Sequence, residues 1–298
     1  MMIKNHRLHQ MARGGFSVLL LAAFSFASFA QKPAYMLYRE NGKKTGFDKM
    51  AQAAAGADVV LFGEQHNDPI AHWLQLELAR YLYEAKGDRL VLGAEMFEAD
   101  NQLIMDEYLD GLISEEKFEE EARLWKNYIT DYKPLVLFAR EHGLRFIATN
   151  IPRRYANSVF RQGLPVLDGI SETARNYMAP LPLEYDTSLN SYRSLAGGGG
   201  MMGHGSVNLM DAQAIKDATM AHFILLNREP GDLFLHFNGA YHSDNGESMN
   251  WFLERADPGL QIVTITTVSQ DEIDRLEEEH INKADFIICV PSAMTKTH

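Results

Sequence analysis

Short apolar runs separated by helix-length segments constrain the fold of this chain more than any other feature. Residues 59–62 and 90–94 are apolar throughout, which is typical of strands buried on both faces of a sheet. Residues 69–83, between them, carry apolar side chains at helical spacing, and Asp68 and Pro69 provide an N-cap and a first helical residue. Two such strands joined by a helix predict a βαβ unit with parallel strands.

The same pattern continues to the end of the chain and predicts an α/β fold with a mostly parallel central sheet flanked by helices. Further strands are predicted at residues 144–149, 233–237, 262–268 and 286–290. We expect one domain over residues 31–298 with an inserted, mostly helical subdomain at about 155–207, which ends in the Gly/Met/His loop 197–205. The segment after Gln31 reads as an irregular arm, and the polar residues 271–282 read as a solvated helix.

The first 30 residues have the pattern of a secretory signal peptide. Three basic residues precede an apolar run at 16–26, and small residues follow it, so we expect cleavage near Ala30. A run of about 11 residues is too short to span a bilayer comfortably. No cysteine follows it, which argues against a lipid anchor. We therefore expect an exported protein, periplasmic or on the cell surface, with no transmembrane segment in its mature chain.

The charge and cysteine content exclude several classes of protein. The chain has 28 Lys and Arg against 40 Asp and Glu, and its net charge of −12 becomes −15 without the three basic residues of the leader. Such an acidic protein is not expected to bind nucleic acid. Cys289 is the only cysteine, which excludes an internal disulfide, and its apolar neighbours indicate a buried side chain.

Polar side chains follow the predicted strands where each one ends. Glu64, Glu95 and Asn150 occupy these positions, and parallel strands bring such ends to one edge of the sheet. Glu64 and His66 are two residues apart, so in an extended segment their side chains point to the same side. With His242, after the strand at 233–237, they predict a site for a divalent metal such as Zn²⁺. Glu95 and Glu64 are then the candidate catalytic carboxylates.

Other residues near these strand ends are candidates for ligand binding, each with a structural alternative. Arg153 is suited to hold a carboxylate or propionate, and Asp217 to orient His66 or His242. An aromatic cluster near Trp125 would stack on a flat ligand if it is not part of the core. The remaining candidates are Tyr128 and Tyr132 in that cluster, Gln213 on the helix of Asp217, and Asn238 and Tyr241 beside His242.

Five segments together resemble the ChaN-like haem-binding uptake family of the Tiki superfamily. They are residues 61–69, 93–97, 149–153, 213–221 and 238–242. The resemblance implies a parallel α/β sheet with a helical subdomain and an exported protein of haem or iron acquisition. It also implies haem as cofactor, a homodimer with paired haems, a haem-uptake receptor or transporter as partner, and a tyrosine-type axial ligand. Tyr128, Tyr132, Tyr155 and Tyr241 are the candidates for that ligand.

The wider superfamily includes proteins that look like metal-dependent proteases and esterases, which use a Gly-x-x-His region. In this chain that region is Gly63 to His66. Three hypotheses therefore remain at this point: a haem-binding protein, a metal-dependent hydrolase that uses Glu64, His66, Glu95 and His242, and a binding module that holds a small ligand without turnover.

Overall fold

In the computed structural model, which describes residues 32–197 and 206–298, strands and helices alternate along the chain. The strands are β1 (Met36–Arg39), β2 (Lys44–Thr45), β3 (Val59–Glu64), β4 (Leu90–Glu98), β5 (Phe146–Asn150), β6 (Leu233–Gly239), β7 (Ile262–Gln270) and β8 (Phe286–Pro291). The α-helices are α1 (Phe47–Ala55), α2 (Pro69–Lys86), α3 (Gln102–Leu109), α4 (Glu115–Glu121), α5 (Lys133–His142), α6 (Arg153–Gln162), α7 (Glu172–Arg175), α8 (Asn190–Gly197), α9 (Ser206–Leu226) and α10 (Met249–Ala256). Within the described residues, no helix is both long and apolar enough to cross a bilayer.

The strands form one sheet in the order β2-β1-β8-β7-β3-β6-β4-β5. Strands β3 to β8 are parallel, and β1 pairs antiparallel with both β2 and β8. β6 follows β3 and β4 in the chain but lies between them in the sheet, since it pairs with both. The carboxyl ends of β3, β6 and β4 therefore lie side by side, which is where open α/β sheets place their ligands.

Helices cover both faces of the sheet because the strand residues alternate between two cores. Val60 and Phe62 pack in one apolar cluster with α2 and α5, whereas Val59 and Leu61 pack in a second cluster with α9 and α10. All four of these side chains are fully buried, and burial of one such side chain contributes about 1.5–3 kcal/mol. This three-layer packing holds the strand ends in fixed positions.

The structure confirms the α/β fold and the N-terminal signals of α2. Asp68 caps α2, since its Oδ1 accepts hydrogen bonds from the backbone N–H groups of Ile70 and Ala71, each at 3.0 Å. Cys289 is fully buried in β8, as expected, and burial raises the pKa of its thiol to about 12.

Two predictions about local structure are wrong. The segment after Gln31 forms β1 and β2 rather than an irregular arm. Residues 271–282 do not form a helix, and they contain only a 3₁₀ turn at Glu278–His280. Ile273 and Leu276 are buried in this segment, and the Gln270 side chain donates to two of its carbonyl groups, so tertiary contacts replace helical hydrogen bonds there.

Three sequence predictions lie partly or wholly outside the described residues. The signal peptide at 1–30 and most of the Gly/Met/His loop at 197–205 are among them. Of the predicted helical insertion, the structure describes residues 155–197 and 206–207. In the first range α6, α7 and α8 are joined by a 3₁₀ helix, Leu164–Gly169, and by irregular chain, and the second range begins α9.

Candidate functional site

A cleft of about 940 Å³ opens at the carboxyl ends of β3, β4, β5 and β6. This volume lies within the range of roughly 300–1,000 Å³ that is usual for small-molecule and cofactor sites. Gly63 allows its floor to form, since a Cβ there would lie 2.9 Å from Cα of Ala240 in the turn after β6. The glycine of the Gly-x-x-His region therefore permits β3 to approach the turn that carries His242.

Glu64 belongs to this floor but is buried, and three side chains donate hydrogen bonds to its carboxylate. It accepts from the Tyr132 hydroxyl at 2.7 Å, from Gln75 Nε2 at 2.6 Å and from His66 Nδ1 at 2.9 Å. A carboxylate with three donors on its two oxygens has little capacity left for a ligand. Glu64 thus orients His66, the role that a carboxylate commonly has behind a metal-binding histidine.

His66 presents its second nitrogen to the cleft. Because Nδ1 donates to the Glu64 carboxylate, the neutral imidazole carries its lone pair on Nε2, and 40% of the side chain is exposed. The rings of Trp125 and His66 form a T-shaped pair, with centroids 5.0 Å apart. Burial lowers the pKa of His66, but the hydrogen bond to Glu64 and the charge of Glu95 outweigh it, so that the pKa is raised.

His242 is buried between two carboxylates on the other side of the floor. Its Nδ1 forms a short hydrogen bond with Asp217, and its Nε2 lies 3.2 Å from Glu95 Oε1. Burial lowers its pKa, but the charges of Glu95 and Asp217 outweigh burial and raise the pKa of His242 to about 10. His242 is therefore charged at neutral pH. The amide nitrogen of Gln213, a cleft residue, lies 3.0 Å from Nδ1 but finds no acceptor there, because Nδ1 donates to Asp217.

Glu95 is positioned by an irregularity in β4. Ala94 pairs with Ala148 and Glu98 with Asn150, so β4 contains extra residues between these pairs. Glu95 Oε2 accepts the backbone N–H of Gly239 at 2.7 Å. Burial raises the pKa of Glu95, but the charge of His242 outweighs it and holds that pKa well below its usual range. Glu95 is thus an ionised partner of His242.

The structure does not assemble the predicted metal ligands Glu64, His66 and His242 into one set. Glu64 is engaged by Tyr132 and Gln75, and both nitrogens of His242 face carboxylates. A group of three side chains that could hold a metal ion does occur among the described residues, but it lies elsewhere, between β7 and β8. Its potential metal-ligating atoms are within 4.8 Å of one another.

The two predicted stacking tyrosines belong to the core and not to the cleft. Tyr128 and Tyr132 are 2% and 1% exposed and pack in the cluster of α2 and α5. Trp125 lines the cleft in their place. Of the two alternatives for these tyrosines, stacking on a ligand or packing in the core, the structure has core packing, and the ring of Tyr128 contacts Phe97 of β4.

Tyr241 differs from the other candidate tyrosines because it lines the cleft. It is 40% exposed, and its hydroxyl lies 2.7 Å from the Ser194 hydroxyl. Tyr155 packs against the cluster formed by α6 and α9, with the Arg154 guanidinium 4.6 Å from its ring. Asn238, another predicted contact, is fully buried below the floor, where its amide donates to Ser243.

The walls of the cleft combine apolar side chains with two cations. Phe160 on α6 and Leu209 on α9 are partly exposed and line one side. Arg153 stands at the rim with 73% of its side chain exposed and its Nε 4.0 Å from Glu98. Lys216 lines the same side and forms no salt bridge with any described residue.

Asn150 leaves one acceptor unused at the floor. Its Nδ2 donates to the Glu95 carbonyl at 3.0 Å, whereas its buried Oδ1 has no partner among the described residues. A buried acceptor without a partner costs free energy, and a ligand that donates a hydrogen bond here would remove that cost.

Sequence reasoning missed several residues of the site. His72 and Gln75 are buried polar residues on α2, three residues apart and therefore on one helix face, and that pattern was the available signal. His298 also lines the cleft, because Lys296 pairs with Asp68 at 3.0 Å and brings the last residues to the mouth. No local pattern in the sequence indicates that contact.

The family described as haem-binding uptake, Tiki superfamily, ChaN matches residues 50–253, which is more than half of the chain. The chain therefore belongs to the ChaN haem-binding uptake family. Its fold is similar to that of ChaN of Campylobacter jejuni, a structure described as showing cofacial haem binding, with a TM-score of 0.64 and 18% identity. The similarity covers 85% of this chain and 96% of the other, which supports a common fold for this ChaN-family member.

Two weaker similarities add no argument about function. An Arabidopsis thaliana protein, RETICULATA-RELATED 5, chloroplastic, is 28% identical over an alignment of 144 residues that covers 46% of this chain. The ChaN-family chain spans about a fifth of that relative's length, 19%. An erythromycin esterase in its open conformation matches with a TM-score of 0.47 and 11% identity, over 87% of this chain and 83% of the other.

Proposed function

We propose that this protein is an exported haem-binding protein of haem or iron acquisition, with haem held in the cleft at the carboxyl ends of the strands. Membership of the haem-binding family supports the cofactor, and the pattern of residues 1–30 supports export. One observation supports this cleft as the haem site: it combines an apolar wall, a cation at the rim and an imidazole nitrogen directed inwards.

The side chains of the cleft fit haem in chemical type. Haem is a flat apolar macrocycle with two carboxylates and an iron that accepts an axial nitrogen or oxygen ligand. Phe160 and Leu209 would pack on the macrocycle, and Arg153 would pair with a propionate. His66 Nε2 and the Tyr241 hydroxyl would be the axial donors.

His66 is the better prepared of these two donors. Its Nδ1–H is already bound to the Glu64 carboxylate, which fixes the tautomer and increases the basicity of Nε2. The Tyr241 hydroxyl is already engaged by Ser194, and burial raises its pKa, so ionising it as a ligand costs more. The resemblance that implied a tyrosine-type ligand leaves Tyr241 as its candidate in the cleft.

A haemin titration followed by the Soret absorbance tests this proposal. We expect saturable binding, a changed Soret position in His66→Ala if His66 binds iron, and a changed position in Tyr241→Phe if Tyr241 does. Arg153→Ala should weaken haemin binding severalfold, whereas Arg161→Ala, an exposed cation at the end of the same helix, is the matched control. Absence of a Soret shift in the wild type would refute haem binding.

The same purified protein can be used to test its proposed association with a second copy of itself. We propose that the protein forms a homodimer and delivers haem to an uptake receptor or transporter. Sedimentation with and without haemin should show association, and a single monomer species in both conditions would contradict the dimer.

A second candidate function, hydrolysis, is favoured by the His66 imidazole, whose Nε2 is free in the cleft. His66 would accept a proton from the water that attacks the substrate. Hydrolysis of a panel of esters and peptides, lost in His66→Ala and retained in Arg161→Ala, would support it. Equal rates in the wild type and His66→Ala would refute it.

A further inference from the structure

The loop between β7 and β8 brings two carboxylates and one imidazole together outside the cleft. The donor atoms of Glu277, Glu279 and His280 all lie within 4.8 Å of one another. His280 Nε2 is 3.7 Å from Glu279 Oε1. Ligand atoms of a tetrahedral zinc site, with bonds of about 2.0–2.2 Å, lie roughly 3.4 Å apart, so this spacing is close to that of a ligand set.

His280 provides a second and independent indication of a ligand. It is 7% exposed, and both of its ring nitrogens are buried without a hydrogen-bond partner among the described residues. An imidazole buried in this way normally has a partner, because desolvating a polar group without one costs roughly 1–3 kcal/mol. His280 Nε2, which lies 3.7 Å from Glu279 Oε1, is therefore placed where a bound cation would provide the partner that this nitrogen lacks.

The backbone that carries these residues is held firmly by the rest of the fold. Gln270 Oε1 accepts the N–H of Glu277 at 3.1 Å, and Gln270 Nε2 donates to the Arg275 carbonyl at 2.8 Å. The N–H of His280 donates to the Glu277 carbonyl at 3.0 Å and closes the turn. Leu276, beside Glu277, is buried in the cluster under β8. Ligands placed on a fixed turn lose little conformational entropy on binding.

We propose that Glu277, Glu279 and His280 form a site for a divalent transition-metal ion of borderline softness, of which Zn²⁺ is the representative. One imidazole and two carboxylates suit such an ion, whereas Ca²⁺ and Mg²⁺ prefer oxygen ligands alone. Three protein ligands leave a fourth position for water or for a group from a partner. None of these residues lines the haem cleft, so the site is independent of the proposed haem binding.

Zn²⁺ binding to the full, haem-free chain tests the proposal. We expect one saturable site by calorimetry or equilibrium dialysis. Glu279→Gln and Glu277→Gln should each weaken it by roughly tenfold or more, since even outer partners of metal ligands are worth about 10–100-fold in affinity. Glu278→Gln is the matched control, because it removes the same charge from an exposed position of the same turn without removing a donor.

The variants also separate this site from any Zn²⁺ bound elsewhere. If Glu279→Gln and Glu278→Gln weaken binding equally, the attraction is a general effect of negative charge, and the proposal is wrong. If the three variants bind like the wild type, the ion is held elsewhere, which also overturns it. Because His280→Ala risks unfolding, the ring of His280 is monitored instead by ¹⁵N NMR, where Zn²⁺ should shift its Nε2 resonance.

Discussion

Replacement of Gly239 by alanine should displace His66 while leaving the rest of the protein intact. Gly239 ends β6 with φ −58° and ψ 138°, values that alanine adopts without strain. A Cβ at this position would lie 2.9 Å from both Cε1 and Nε2 of His66. The substitution therefore changes the position of one imidazole without removing any polar group.

The size of the effect follows from that distance. Non-bonded heavy atoms are most stable about 3.5–4.0 Å apart, so the His66 ring must withdraw by roughly 0.6–1 Å. Its 2.9 Å hydrogen bond to Glu64 would lengthen accordingly. Since His66 is partly exposed and can move, we expect a loss of about 1 kcal/mol in unfolding free energy. Haem affinity should fall by roughly 10–100-fold, as for other disturbed metal-ligand partners.

Haemin titration and urea denaturation of Gly239→Ala check this prediction. Gly169→Ala is the matched control, because a Cβ at Gly169 would meet no atom within 4 Å. If Gly239→Ala binds haemin with the wild-type affinity and Soret position, His66 is not an axial ligand and the reasoning from the cleft is refuted.

Three further predictions concern the groups below the cleft. Glu64→Gln replaces an acceptor of three hydrogen bonds with a side chain that also donates, so urea denaturation should show a loss of about 1–3 kcal/mol, and an unchanged midpoint would contradict the network. Tyr128→Phe removes a buried hydroxyl that has no partner among the described residues, so stability should be unchanged or rise by up to about 1 kcal/mol, with haemin binding unaffected. A marked fall in either quantity would count against this. His242, with its pKa raised to about 10 from an ordinary value of about 6.5, stabilises the folded state fully below about pH 6.5, and the contribution should decline as pH rises towards 10. Urea midpoints between pH 6.5 and 10 that fall in the wild type but not in His242→Gln would agree with it, and parallel curves would not.

The fold could be predicted largely from local patterns. The apolar strands and the cap at Asp68 are encoded within a few residues, and the structure confirms them. β1 could not be found in this way, because its four residues are stabilised by pairing with β8, about 250 positions later in the chain. The helix predicted at residues 271–282 does not form, for a related reason. A hydrogen bond from Gln270 and the burial of Ile273 stabilise a loop there and outweigh the helix propensity of the segment.

The site could be predicted in location but only partly in the roles of its residues. Because parallel strands end at one edge of a sheet, the sequence predicts that Glu64, Glu95 and Asn150 lie close together, and in the structure all three line one cleft. It could not show that the Glu64 carboxylate is already engaged by other side chains, because that depends on Tyr132 and Gln75 from two helical segments. Side-chain direction at a strand end is decided by such tertiary contacts, which the spacing of residues does not contain.

β6 lies between β3 and β4 in the sheet but follows both of them much later in the chain, and this order has a consequence for folding. Until residues 233–239 are in place, β3 and β4 have no shared neighbour, and each exposes an unpaired edge that other chains can pair with. Contacts over such long sequence separations form slowly, because loop closure must precede them. We therefore expect the floor that carries Glu95, Gly239 and His242 to be among the last parts to form, and a chain cut before β6 to aggregate rather than bind a ligand weakly.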